Sequence, residues 1–193
     1  MKATINGSLN PVPDCMIVIP TSGRGKQQGF DALYFNNLPD ISDSKSAVYN
    51  NEGIIGRSFP LYTYSHSADR SINIQLHFFV IEPGDGARNL AYLRLIQSCV
   101  YPRKGRGGAP YTPPPVCRIR CGDLLATQGE AVCAVLQSYS VKFPTDVAWD
   151  DRPDPSTGQQ SYCPYRFDVD TSWLAVYTSS DLPYQRRIIQ LGR

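Results

Sequence analysis

A chain of 193 residues can fill one core and is too short for two ordinary domains, so a single domain over residues 1–193 is expected. Hydrophobic residues at 41% and charged residues at 19% mark a globular chain that is poor in charge. The net charge of +2 gives no ground for nucleic-acid binding by bulk electrostatics, and no apolar run approaches a signal-peptide core or a membrane span. The protein is therefore expected to be made in a cytoplasm and to have no membrane partner. Its six cysteines (Cys15, Cys99, Cys117, Cys121, Cys133, Cys163) are spread over a chain too large to need staples, so unbridged thiols are expected. The 12 tyrosines supply side chains with an apolar body and a polar tip, suited to sheet faces and contact surfaces alike.

The first candidate strand covers residues 15–19. Pro11 and Pro13 before it cannot donate to a ladder, which puts it at an edge or makes this a strand start. Residues 20–70 show no sustained period of two or 3.6 and read as a long irregular excursion, either a binding excursion or short elements that the pattern does not resolve, with residues 59–64 able to form a strand into the next element. In residues 71–80, Ile72, Ile74, Leu76, Phe78 and Val80 share one face, the pattern of a buried strand. Pro83-Gly84 ends it. Asp85 then stands as N-cap for a helix from Gly86, whose stripe Leu90, Leu93, Ile96 and Val100 would lie on a sheet.

After Tyr101-Pro102, the loop Arg103-Lys104-Gly105-Arg106-Gly107-Gly108 leads through Pro113-Pro114-Pro115 into a strand over residues 116–121. Residues 131–143 alternate, with Val132, Ala134 and Leu136 opposite Cys133, Val135, Tyr139, Val141 and Phe143, so burial of the first half on both sides is expected. Residues 144–166 read as a second irregular excursion. Residues 167–177 return as a strand with Phe167, Val169, Trp173, Ala175 and Tyr177 inward and Asp168, Asp170 and Ser172 on a solvated face. Runs of strands with a single helix predict a mainly β (β+α) fold, an antiparallel β-sandwich or small barrel with one flanking helix and long loop excursions.

No group of residues forms a coherent catalytic or metal set. Ser22-Gly23-Arg24-Gly25-Lys26 lacks the earlier glycine and the following hydroxyl of a phosphate loop, since Pro20 and Gln27 stand there. Cys117 and Cys121, four apart on a strand, are separated by about 13 Å, too far for one zinc, and read as small inward hydrophobes. His66 and His77 have no Cys or His at ligand spacing, and Asp168 and Asp170 have no second group to complete a hydrolase. No cofactor, metal or enzymatic activity is expected. The basic loop, with Arg103, Lys104, Arg106 and Tyr111, is the best candidate contact. It reads as a nucleic-acid site with Arg118 and Arg120, as an arm for an acidic protein partner, or as a solvated hairpin tip.

The strand at 71–80, the helix ending Leu95-Ile96-Gln97-Ser98-Cys99-Val100-Tyr101-Pro102, the run Pro113-Pro114-Pro115-Val116-Cys117-Arg118-Ile119-Arg120-Cys121-Gly122 and the strand near 135–143 together resemble the baseplate proteins of contractile-tailed bacteriophages. Within that group the chain is similar, over residues 54–178, to the tail-tube-fold proteins that start the tube or join it to the baseplate wedges, some of which carry a LysM module. The resemblance implies a virion protein assembled in the host cytoplasm, present in several copies in a ring. It implies tube, hub and wedge proteins as partners and no enzymatic activity, and no nucleic-acid partner is expected. No LysM pattern follows Tyr177, so peptidoglycan binding is not expected, and the two excursions are not part of the family pattern. A nucleic-acid-binding accessory protein using the basic loop is the alternative.

Overall fold

The computed structural model describes residues 15–21, 29–35, 39–104, 111–122, 124–125, 131–153, 158, 160 and 162–177. The loop at 22–26, Arg106 and the basic tail at 183–193 lie outside the described residues. In chain order the elements are β1 (Cys15–Thr21), β2 (Gly29–Tyr34), β3 (Asp40–Ser44), β4 (Ala47–Glu52), β5 (Leu61–Ser67), β6 (Ser71–Phe79) and α1 (Asp85–Ser98). They continue with β7 (Arg103–Lys104), β8 (Tyr111–Thr112), β9 (Cys117–Cys121), β10 (Val132–Lys142), β11 (Trp149–Asp150), β12 (Cys163–Pro164) and β13 (Arg166–Ala175). The fold is mainly β with one helix, as the runs of alternating residues require.

Seven strands form one antiparallel sheet in the order β2-β1-β9-β10-β13-β6-β3. Laid flat, its edges would stand about 29 Å apart, six spacings of about 4.8 Å. Yet Leu33, Tyr34 and Phe35 at the end of β2 line one cavity with Leu76, His77 and Phe78 of β6, and with Asn89 and Tyr92 of α1. The sheet therefore curls until its first strand meets its sixth, with α1 at the seam. A single curled sheet, not a sandwich of two, encloses the core.

Buried apolar side chains from every strand of that sheet but β3 fill this core, including Ile17, Leu33, Ile72, Ile74, Ile119, Phe167, Val169 and Trp173, and half-buried Ile41 of β3 packs against it. Two buried polar groups are satisfied in series. The Trp173 Nε1–H donates to Thr171 Oγ1 at 2.8 Å, and the Thr171 hydroxyl donates to the Ile74 carbonyl at 2.8 Å. Phe78 and Phe167 stack at 4.9 Å. Alternation alone does not describe β10. Leu136 faces Trp173 and Ser138 faces Ser172, so Gln137 is an extra residue. Before it Val132, Ala134 and Leu136 are buried; after it the half-buried set is Tyr139 and Val141, and Cys133 is exposed. The two expected buried faces are thus one face that changes parity at a bulge.

Gly84, not Asp85, is the N-cap of α1, with φ 100°. Glycine takes that left-handed conformation without a Cβ penalty. Asp85 is the first helical residue, and its buried carboxylate reaches back to accept the Ile81 and Glu82 N–H groups at 3.1 and 2.9 Å. Leu93 and Ile96 are buried as expected, while Leu90 and Val100 are only partly so. Buried Asn89 fixes the helix to β6 by donating to the Phe79 carbonyl at 2.9 Å.

Neither excursion is wholly irregular. Residues 20–70 contain β2, β3, β4 and β5, and residues 144–166 contain the pair β11–β12, where buried Asp150 accepts from Arg152 Nε at 2.6 Å. The strand expected at 59–64 is β5, and it pairs with β4 rather than entering the sheet.

Candidate functional site

Residues 40–79 form one long β-hairpin in two parts. Its base, β3 paired with β6, is the edge of the sheet, and its distal half, β4 paired with β5, continues outward. The two parts join where Ala68 N–H donates to the Ser46 carbonyl at 2.8 Å. Arg70 anchors the junction: Nε donates to Asp43 Oδ1 at 2.9 Å and Nη2 to the Leu125 carbonyl at 3.1 Å. The Asp43 hydrogen bond holds the guanidinium above its ordinary value against its burial.

Every residue of β4 and of β5 is exposed, on both faces. The arm extends on the order of 20 Å, six residues at about 3.4 Å. One face carries Tyr49, Tyr62 and Tyr64, with Tyr49 and Tyr64 in an edge contact at 5.8 Å. A β-turn closes residues 54–57 by the Arg57 N–H to the Ile54 carbonyl at 3.2 Å. Gly56 is its third residue at φ 91°, a position that excludes most other side chains. The turn holds Ile54 and Ile55 outward, and Ile55 is 103% exposed and nearby Phe59 68%. From residue 47 to residue 67 the only full charges are Glu52 and Arg57. The arm is suited to an apolar and hydroxyl-rich contact, not to a phosphate backbone.

The second surface is the outer face of β10, β13, β6 and β3. Strand register sets Ser140, Asp170, Gln75 and Asp40 in one row, and Ser138, Ser172, Asn73 and Ser42 in the next. These rows line a groove of about 460 Å³. Beyond the first row an ion-pair network closes one end. His77 Nδ1 lies 2.6 Å from Asp168 Oδ1 and His77 Nε2 lies 3.7 Å from Asp40 Oδ2. Arg166 Nη2 lies 3.3 Å from Asp168 Oδ2, and Lys142 Nζ lies 2.6 Å from Asp170 Oδ2. Burial pushes the Asp168 carboxyl up, but the hydrogen bonds from His77 and Arg166 outweigh it and hold it below the usual carboxylate range. The Asp170 hydrogen bond pushes Lys142 up.

Asp168 is therefore buried, contrary to the expected solvated face, with its two carboxylate oxygens engaged by His77 and Arg166. Tyr177, expected inward, is exposed and lies under Lys45, whose Nζ is 5.0 Å from its ring. Both candidate hydrolase carboxylates are engaged by cations, and among the described residues no cluster of three or more His, Cys, Asp or Glu could hold a metal. The basic loop is placed only in part. Arg103 pairs with Thr112 and Lys104 with Tyr111 in a two-residue ladder, Tyr111 is exposed, and Arg106 lies outside the described residues. Arg118 and Arg120 lie on the outer face of β9.

The arm lies within the excursion expected at 20–70, where the residue pattern showed β5 but not its partner β4. Its signals were present, in the period-two run over β5 and in the glycines at 53 and 56. The chain matches no protein-family model and no curated protein. Its residues and their geometry are what bears on function.

Proposed function

We propose that this chain is a non-enzymatic structural subunit that joins its neighbours in a multi-copy assembly through the β4–β5 arm. Following the resemblance of its sequence motifs, the assembly proposed is the baseplate of a contractile phage tail, in which the subunit starts the tail tube or connects tube and hub to the wedges. The observation that carries this reading is an arm whose strands hold no buried residue. A lone two-stranded hairpin is marginal in water, and large exposed apolar side chains clustered at its tip mark a contact surface. Covering Ile54, Ile55 and Phe59 would contribute roughly 5–9 kcal/mol gross, at roughly 1.5–3 kcal/mol each, against the entropy of association.

Mass spectrometry of purified virions should find the chain, and cross-linking of intact particles should join residues 54–64 to another subunit. Virions that lack the chain would end the baseplate reading. Cross-links from the arm to its own sheet alone would end its role as a contact.

A further inference from the structure

Cys15 opens β1 and Cys121 closes β9, and the antiparallel register sets them directly opposite one another. Their Sγ atoms lie 2.8 Å apart, both side chains are buried, and both are thiols. Opposed residues on antiparallel strands have Cα atoms about 4.5–5.5 Å apart, inside the window that a disulfide requires. Bond formation therefore needs side-chain rotation and no rebuilding of the strands. The other neighbouring pair differs. Cys99, at the end of α1, and Cys117 on β9 have sulfurs 3.9 Å apart, and the Cys99 thiol donates to the Leu95 carbonyl at 3.2 Å.

The position has a structural consequence. Among the described residues, the ladder joining the β1–β2 hairpin to the next strand of the sheet has four residue pairs, Cys15 to Val18 against Arg118 to Cys121. A bond at the end of that seam closes a ring spanning 106 positions, and long rings restrict the unfolded chain most.

We propose that Cys15 and Cys121 are an intramolecular disulfide site, closed by a low-molecular-weight disulfide when the chain meets oxidising surroundings, which fastens the β1–β2 hairpin to the sheet. With glutathione disulfide, one protein thiolate attacks a glutathione sulfur and expels the first glutathione. The second protein thiolate then attacks the protein sulfur of the mixed disulfide and expels the other. Two protein thiols become one disulfide, and their two protons leave on two glutathione thiols. Burial and the neighbouring Cys15 push the Cys121 thiol up to about 12, so closure is slow in neutral solution.

The test treats the folded, reduced chain with glutathione disulfide, blocks remaining thiols with N-ethylmaleimide and maps the peptides. The expected result is a Cys15–Cys121 cross-linked peptide, a mass about 2 Da lower than the reduced chain before blocking, and a melting temperature raised by several degrees and restored by reductant. The variant Cys99→Ser with Cys117→Ser keeps the cross-link. A stable glutathione adduct on Cys15 or Cys121, a Cys99–Cys117 bond in its place, or oxidation confined to exposed Cys133 would overturn the proposal. The unsubstituted chain suffices for each of these outcomes.

Discussion

β5 and β6 are successive strands of one hairpin, and both alternate in sequence, yet they meet opposite fates. In β6, Ile72, Ile74, Leu76 and Phe78 go into the core and the residues between them face the polar groove. In β5, Leu61, Tyr62 and Tyr64 stay in water although the backbone ladder with β4 is complete. The difference is not in the strands themselves. β6 has β13 on one side, β3 on the other and a layer of side chains from the curled sheet and α1 across from it, whereas β4 and β5 have only one another. A paired strand with no second layer gains its hydrogen bonds but no burial, and what it lacks is what a neighbouring subunit can supply.

That contrast can be broken at the core first. Trp173→Ala removes the largest fully buried side chain and should cost about 3–5 kcal/mol in urea denaturation. A loss below about 1 kcal/mol would mean that the interior of the sheet is not the stabilising unit. Thr171→Val keeps the shape but leaves the Trp173 N–H and the Ile74 carbonyl without the bridging hydroxyl. The same denaturation should show a loss of about 1–3 kcal/mol.

On the outer face, Asp168→Asn should cost about 1–2 kcal/mol at neutral pH. Because the folded carboxyl is held below its ordinary value, its contribution is complete above the unfolded carboxylate range and is lost as pH falls through the lowered folded value. Asp150, lowered by the Arg152 hydrogen bond, acts with the same sign. Melting temperature measured against pH should therefore fall less steeply in acid for Asp168→Asn than for the wild type, and parallel curves would contradict the ion-pair network. The smallest stability effect is expected in the arm. Ile54→Ser with Ile55→Ser should leave the isolated chain within about 0.5 kcal/mol of wild type. A loss above about 1 kcal/mol would show that the tip packs on its own body and would erase the contrast.

Several parts of this structure could be read directly from residue order. β6, β13 and the body of α1 follow from apolar periods of two and near 3.6 that extend over nine or more residues. β10 was readable as a strand but not as a surface, because the bulge at Gln137 switches which parity is buried and nothing in the local pattern announces it. β2, β3 and β4 escaped because they are five or six residues long and mix Asp, Asn, Ser and Tyr, so their two faces differ little in polarity. The candidate contact moved for the same reason. The Arg103–Gly108 loop stood out by charge, whereas the arm stands out only once its burial is known.

By itself, then, the sequence determined the mainly β composition of the fold, the central strand and helix, and the inward side chains of β6 and β13, since these rest on neighbours within a few residues. Tertiary structure alone decided the curl that brings β2 to β6, the hydrogen-bonded His77–Asp168 pair 91 positions apart, the facing of Cys15 and Cys121, and the exposure of the β4–β5 arm. Each of these depends on which distant strand lies alongside, and the choice among pairings is made by the burial available to the whole sheet rather than by any local run of residues.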